Sequence, residues 1–388
     1  MKPTRHLVWV FYCCIATILR AENTPLDTPL QEQTEITITC EFAKNSAGQN
    51  SAFLGSAKDV QQAIGTYHYK LWLPKGYQAN PKRRWPCMFV FSPSGSAGRG
   101  NMAGWLEANG FVVVMLVESK NGPWAPIAGN FLSAHDDVIK RVRIQEGSKM
   151  ATGFSGGARA ASSAVQSRPG FSGLILQGAG CSFDDRSSYQ TSKIKGNPAM
   201  YVSMTIGESD SNRGEAGRMK GVFGAKFQAF TFKGGHDWSP PDVFQNAADW
   251  LLKQIYETGP FQPSMQAAYI NRCQTFLERW EASTQPWERY QLADSAATFA
   301  RSRNLLMDPS LAPSLRKVQA EMLKLRADPA VNREIAAADA WRRLEQSRDR
   351  TTLSVFEASC QQFLKQYKGT AAGDRAEKLL DAANDRGH

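Results

Sequence analysis

Residues 151–161 read "ATGFSGGARAA", with Ser155 set between Gly153-Phe154 and Gly156-Gly157. The stretch ahead of it, "KMATGF" (149–154), reads as a strand, and the Ala-rich 156–168 behind it reads as a helix. A serine on so sharp a strand-to-helix turn is forced into strained backbone, and small residues two before and two after it relieve the crowding. The helix starting at Gly156 would aim its first N–H groups and positive dipole end at negative charge developing beside Ser155. "GFSGLI" (170–175) resembles this pattern, but its Ser172 precedes a strand instead of following one.

Working outward, residues 66–257 alternate between short apolar runs and helical patterns. The strand candidates are 66–73, 86–92, 111–118, 149–154, 173–179, 199–206 and 227–232; helical stretches fall at 99–109, 133–145, 156–168 and 241–257. "FVVVMLV" and "GLILQ" are continuously apolar, as expected of strands buried on both faces, whereas "TYHYKLWL" (66–73) alternates and is expected at an edge. Strands alternating with helices imply an α/β domain over 66–258, a mainly parallel sheet covered by helices. After "YETGPFQPS" (256–264) the strand signal stops, and 265–388 carries apolar residues at helical spacing. "CQTFLERW" (273–280) and "CQQFLKQY" (360–367) resemble each other, which suggests a smaller all-α, degenerate repeat-like C-terminal domain. Such a domain either docks a protein partner or packs on the α/β domain as an appendage. Residues 22–65 are mostly polar, an N-terminal extension in which only "TEITITCEF" (34–42) reads as a strand.

Residues 1–21 place Lys2 and Arg5 before an apolar run from Leu7 to Leu19, with Ala21 after it, the pattern of a secretory signal peptide. The expected location is therefore secreted or periplasmic, with no stable membrane span once that segment is removed. Its loss would take three positive charges from the formal net charge of +10. The remaining basic residues form no run and are not interleaved with aromatics, so nucleic acid is not an expected partner. Of seven cysteines, Cys13 and Cys14 lie in the leader-like segment; Cys40, Cys87, Cys181, Cys273 and Cys360 remain. There is no Cys-x-x-Cys and no Cys/His cluster, so a zinc site is not expected. Cys273 and Cys360 are expected in helix cores rather than in a disulfide.

A serine hydroxyl needs a base to take its proton. His6 lies in the leader, His388 is the last residue, and His68 and His135 precede Ser155; His236, in "FKGGHDWSPP" (232–241), follows the last strand and precedes the last helix of the α/β region. An acid should follow a strand between the two. "GESD" (207–210) offers Asp210, with Glu208 as its neighbour and Asp184 or Asp185 as outside alternatives. Asp237 adjoins the base in sequence and is poorly placed to support it. For the oxyanion of acyl transfer, one donor is the N–H of Gly156, and the loop "SPSGSAGRG" (92–100) should supply another, with Ser96 as the candidate because Pro93 has no N–H. Trp124, in a loop leaving another strand, either lines the site or packs ordinarily.

With the elbow "GFSGGAR", the acid "GESD" and the histidine loop "GGHDW", residues 66–257 resemble the α/β-hydrolases, in particular secreted, cap-less esterases of the polyhydroxybutyrate-depolymerase-like and feruloyl-esterase-like groups. The resemblance covers about half the chain and implies a serine hydrolase, most directly a carboxylic ester hydrolase, with a Ser155–His236–Asp210 triad and no metal or organic cofactor. One departure is the oxyanion loop, where these groups commonly carry His-Gly and this chain has Ser94-Gly95. The segment 181–198, where many hydrolases insert a lid, is short and polar, which implies an open site suited to a soluble or polymer-linked ester. A peptidase of the same fold, or a non-catalytic binding protein of the cell envelope, are the competing readings.

Overall fold

The computed structural model describes residues 23–43, 53–183, 188–259 and 261–384; the leader-like residues 1–21, Asp184 and Asp185 lie outside the described residues. Eight strands, β1 (Ile36–Phe42), β2 (Gly65–Trp72), β3 (Trp85–Phe91), β4 (Val112–Leu116), β5 (Ile144–Phe154), β6 (Phe171–Gln177), β7 (Tyr201–Gly207) and β8 (Phe227–Phe232), form one sheet in the order β1-β2-β4-β3-β5-β6-β7-β8. The pairs β1–β2 and β2–β4 are antiparallel, and every pair from β4–β3 to β7–β8 is parallel.

Residues 66–73 are not the edge that their alternation suggested. β1 covers β2 along its whole length, from Ile36 opposite Leu71 to Phe42 opposite Gly65. Tyr67, Tyr69 and Leu71 are buried while His68 and Lys70 between them are half-buried, so the alternation reports unequal cover of the two faces rather than a missing neighbour. The sheet thus begins at Ile36, within the stretch read as an extension.

The parallel strands sort their side chains by the strand period of two. Cys87, Phe89, Phe91, Val112, Val114, Leu174 and Leu176 share one buried cluster with α1 (Ala57–Ala63), α3 (Trp124–Arg141) and α4 (Gly156–Ser167). Met88, Val90, Val113, Met115, Met150 and Ile175 point to the other face, against α2 (Ala103–Ala108) and α7 (Pro241–Lys253). α3 starts well before the expected residue 133, because Pro126 and Gly129 mask a buried stripe of Ala125, Ile127, Ala128, Phe131 and Leu132.

Two short helices, α5 (Ser192–Gly196) and α6 (Gly214–Phe223), complete the α/β part. Beyond it the described chain is helical: α8 (Gln266–Ala282), α9 (Pro286–Ser302), α10 (Ala312–Ala327), α11 (Pro329–Ser347), α12 (Leu353–Tyr367) and α13 (Ala371–Asn384). α8, α9 and α10 share the second cluster with the sheet, through Tyr269, Phe276, Trp280, Phe299 and Val318. α11–α13 enclose a separate cluster around Trp341, Phe356 and Phe363. An ion pair between Arg83 and Glu278 (2.5 Å) also joins α8 to the body, but the Glu278 side chain is 53% exposed. Arg83 is itself buried and also donates to Thr275 Oγ1 at 3.0 Å, and each large apolar side chain fully buried contributes about 1.5–3 kcal/mol. Packing and the buried Arg83 guanidinium together hold α8 in place.

On the buried face of α3, His135 stacks on Phe89 with ring centroids 5.6 Å apart. Its Nδ1 pairs with Asp136 at 3.0 Å and its Nε2 with Lys149 Nζ at 3.0 Å, which fits a neutral ring donating from Nδ1 and accepting at Nε2. Burial pushes its pKa down to about 4; the charges of Lys149 and Arg168 act in the same sense, and the hydrogen bond and charge of Asp136 oppose them. The unfolded imidazole takes its proton near pH 6.5 and the folded one only near 4, so stability falls as pH drops through that window. Urea unfolding between pH 7 and pH 4 should show a decline in the wild type that is shallower in His135→Gln, by an amount on the order of 3 kcal/mol. Parallel declines would remove His135 as the titrating group.

Candidate active site

The turn between β5 and α4 places Ser155 at φ +52°, ψ −119°, a positive φ that a side-chain-bearing residue adopts at a cost of about 1–3 kcal/mol. Three main-chain bonds hold it: Ser155 N–H donates to Gln177 O at 2.8 Å, and Ser155 O accepts from Ala158 N–H at 3.0 Å and from Arg159 N–H at 3.3 Å. The flanking glycines are required by close approach. A Cβ on Gly153 would overlap the Gly157 carbonyl and lie 2.9 Å from Phe91 O, and one on Gly157 would lie 2.8 Å from Phe91 O.

Three loops at the carboxyl end of the sheet meet at this turn. His236 Nε2 lies 2.8 Å from Ser155 Oγ, and its Nδ1 lies 3.0 and 2.9 Å from the two carboxylate oxygens of Asp210. Asp210 follows β7, and its side chain is fully buried while the His236 side chain is 37% exposed. Asn212 N–H donates to Asp210 Oδ1 at 2.8 Å, and Asn212 Nδ2 donates to Gly178 O at 2.9 Å, which fixes the acid against the loop after β6. The imidazole is flanked by Phe154 at 4.7 Å between ring centroids, and Phe154 in turn packs on Trp238 at 5.3 Å. Glu208 is exposed, and Asp237 is exposed with its Oδ1 accepting from Trp238 N–H at 2.7 Å; neither meets His236. The row Ser155–His236–Asp210 has the geometry in which a base can take the serine proton while a carboxylate holds its tautomer.

The oxyanion donors differ from expectation. Gly156 N–H stands at the first position of α4. Ser96 is excluded: its N–H donates to Val117 O at 2.7 Å, and Ala97 N–H donates to Leu116 O at 3.0 Å. The loop after β3 spends these groups on the end of β4. Ser94 N–H makes only a long contact, 3.3 Å, with Ser92 Oγ. Trp124 begins α3, is 44% exposed, and packs edge-on against Phe53 at 6.2 Å rather than on the serine, histidine or aspartate.

Two supporting groups escaped the sequence reading. Gln177, fully buried at the end of β6, accepts from Asn101 Nδ2 (3.1 Å) and Ser239 Oγ (3.0 Å), and donates to Thr152 Oγ1 at 3.2 Å. It ties the histidine loop, the elbow strand and the loop after β3 together, and its signal was a lone polar residue closing the apolar run "GLILQ". Arg159, one turn into α4, pairs with Glu215 at 2.8 Å, and Glu215 Oε2 accepts from Gly180 N–H at 2.7 Å. Burial alone would raise the Glu215 pKa, but the Arg159 hydrogen bonds and charge outweigh it and hold the carboxyl below its usual range.

The strand order, the elbow after β5 and the acid and histidine after β7 and β8 make this an α/β-hydrolase fold. No family model matches the chain, and no curated protein matches it in sequence. Among solved structures, a ferulic acid esterase is similar at 13% identity and a TM-score of 0.41, over 57% of this chain and 99% of that one. The S-formylglutathione hydrolase FrmB of Staphylococcus aureus is similar at 11% identity and a TM-score of 0.42, over 57% and 98%. An acylaminoacyl peptidase of Pyrococcus horikoshii is similar at 12% and 0.39, over 52% and 42%. At that level nothing about substrate passes to this chain.

The close approach at the elbow has a direct consequence. Gly153→Ala should lower folding stability by about 1–3 kcal/mol, the usual cost of forcing atoms into a filled space, while Gly98→Ala, in open surroundings, should change it little. Urea denaturation of both variants checks this, and equal stabilities would show that α4 can yield without cost.

Proposed function

We propose that the chain is a serine hydrolase that cleaves carboxylic esters through an acyl-enzyme. The observation that carries this reading is the hydrogen-bonded row Ser155 Oγ–His236 Nε2, His236 Nδ1–Asp210 at 2.8 to 3.0 Å. Ser155 Oγ attacks the ester carbonyl carbon as its proton passes to His236 Nε2, and the carbonyl π pair moves onto oxygen. Gly156 N–H, backed by the positive end of the α4 dipole, stabilises that oxyanion. Its collapse re-forms the carbonyl and expels the alkoxide, which takes the proton from His236 and leaves as alcohol. Water then delivers its proton to His236 and its oxygen to the acyl carbon; the second collapse returns Ser155 and releases the acid. Asp210 keeps the His236 Nδ1 proton in place and stabilises the imidazolium.

The exposed His236 edge supports an ester that approaches from solvent, including one linked to a polymer. Export rests on the leader-like pattern of residues 1–21; among the described residues no helix is long and apolar enough to cross a membrane. The C-terminal helices divide on this question. α8–α10 pack on the sheet and read as structural, while α11–α13 are the part available to a protein partner.

Hydrolysis of p-nitrophenyl acetate and butyrate tests the reading. Ser155→Ala and His236→Ala should each lower kcat on the order of 10⁶-fold, and Asp210→Asn by about 10⁴-fold. A wild type no faster than these variants, and not labelled by a fluorophosphonate, would leave a hydrolase-shaped binding protein as the better account.

A further inference from the structure

The loop after β4 sets Asn121 directly over the start of α4. Its main chain is anchored, because Asn121 N–H donates to Pro93 O at 2.7 Å and Ser94 pairs with Lys120 as an antiparallel bridge. The loops after β3 and β4 therefore stand as one unit beside the elbow. The Asn121 side chain fills the space in which residue 156 would carry its own. A Cβ built on Gly156 would overlap Asn121 Oδ1 and lie 2.9 Å from its Cγ and 3.4 Å from its Nδ2. Asn121 is exposed, and among the described residues its carboxamide has no hydrogen-bond partner.

That location bears on the weakest part of the site. The carbonyl oxygen of a substrate held on Ser155 must come within about 3 Å of Gly156 N–H to be stabilised, which brings it to the turn that the carboxamide covers. The expected second donor, Ser96 N–H, is occupied by Val117 O. The terminal torsion of asparagine is broad and two-fold, so a half-turn exchanges Oδ1 for Nδ2 without moving the loop. We propose that Asn121 is a catalytic residue of this site, whose Nδ2–H donates to the oxyanion beside Gly156 N–H. The proposal rests on the serine hydrolase reading. It also accounts for glycine at 156: any side chain there would expel the carboxamide that does this work.

The test is a double-mutant cycle on p-nitrophenyl butyrate hydrolysis, with thermal unfolding of each variant as the folding control. Asn121→Ala should lower kcat about 10²- to 10³-fold, the usual effect of losing one side-chain oxyanion donor, with KM little changed. Gly156→Ala keeps the backbone N–H, and the three atoms nearest its added methyl all belong to the end of the exposed Asn121 side chain, so it should fold normally and lose kcat by displacing Asn121. The double variant should be no slower than the slower single, because both remove the same interaction. An Asn121→Ala enzyme with wild-type kcat, or losses that simply multiply in the double variant, overturns the proposal. A wild type that is inactive and unlabelled by fluorophosphonate overturns the hydrolase reading and this proposal with it; a labelled, active wild type beside an unimpaired Asn121→Ala overturns only the latter.

Discussion

The carboxyl end of the sheet is organised by how closely the first turn of α4 can press against β3 and β5. Gly157 rests on the carbonyl of Phe91, and Gly153 rests on the carbonyl of Gly157. With no side chain at either position, helix and strands touch through backbone alone. That contact tilts Ser155 into its positive φ and aims the first N–H groups of α4 out of the sheet edge. The strain is then carried by surrounding bonds, above all the one to Gln177 O. The position of the serine is therefore a property of the packed sheet and not of the loop that contains it.

Gln177 carries that dependence outward. Its main chain holds Ser155 while its side chain accepts from Ser239 and Asn101, so the serine and the segment behind His236 share one buried anchor. Asp210 is fixed separately, through Asn212 and the Gly178 carbonyl on the neighbouring loop. Each of the three side chains is thus fastened to a strand end through a second residue. Arg159 and Glu215 add a further brace between α4, the loop after β6 and α6. Preorganisation of this kind is what lets a hydrogen-bonded row hold its geometry near solvent.

Much of this was legible in the residues alone, and the reasons are physical. Parallel strands buried on both faces read as unbroken apolar runs, so β4 and β6 stood out; β5 was visible from its junction with an Ala-rich helix. Ser155, Asp210 and His236 were each visible as a polar residue just past a strand. What failed first was the main-chain pairing between loops. The Ser96 N–H looked available because nothing in "SPSGSAGRG" reveals that it folds back on Val117 and Leu116. Asn121 carried no signal, since its placement depends on its bond to Pro93 O and on the bridge between Ser94 and Lys120, both set by another loop. The edge assignment of residues 66–73 failed because alternation records which face is covered, not which neighbour is present. α3 was shortened because Pro126 and Gly129, tolerated in a helix held by tertiary packing, look like breakers in isolation.

The five cysteines of the described residues are all free and all buried, distributed among the three hydrophobic clusters: Cys40, Cys87 and Cys181 in the first, Cys273 in the second and Cys360 in the third. Burial pushes the Cys273 thiol up to about 12, as it does those of Cys40 and Cys181, so almost no thiolate exists in the closed molecule. Among the described residues no disulfide links the three clusters. Burial also means that a thiol reagent meets each cluster only when that cluster opens. Cys360 reports the outer helices, Cys273 the junction with α8, and the other three the sheet, so the chain carries a separate clock for the opening of each of its cores.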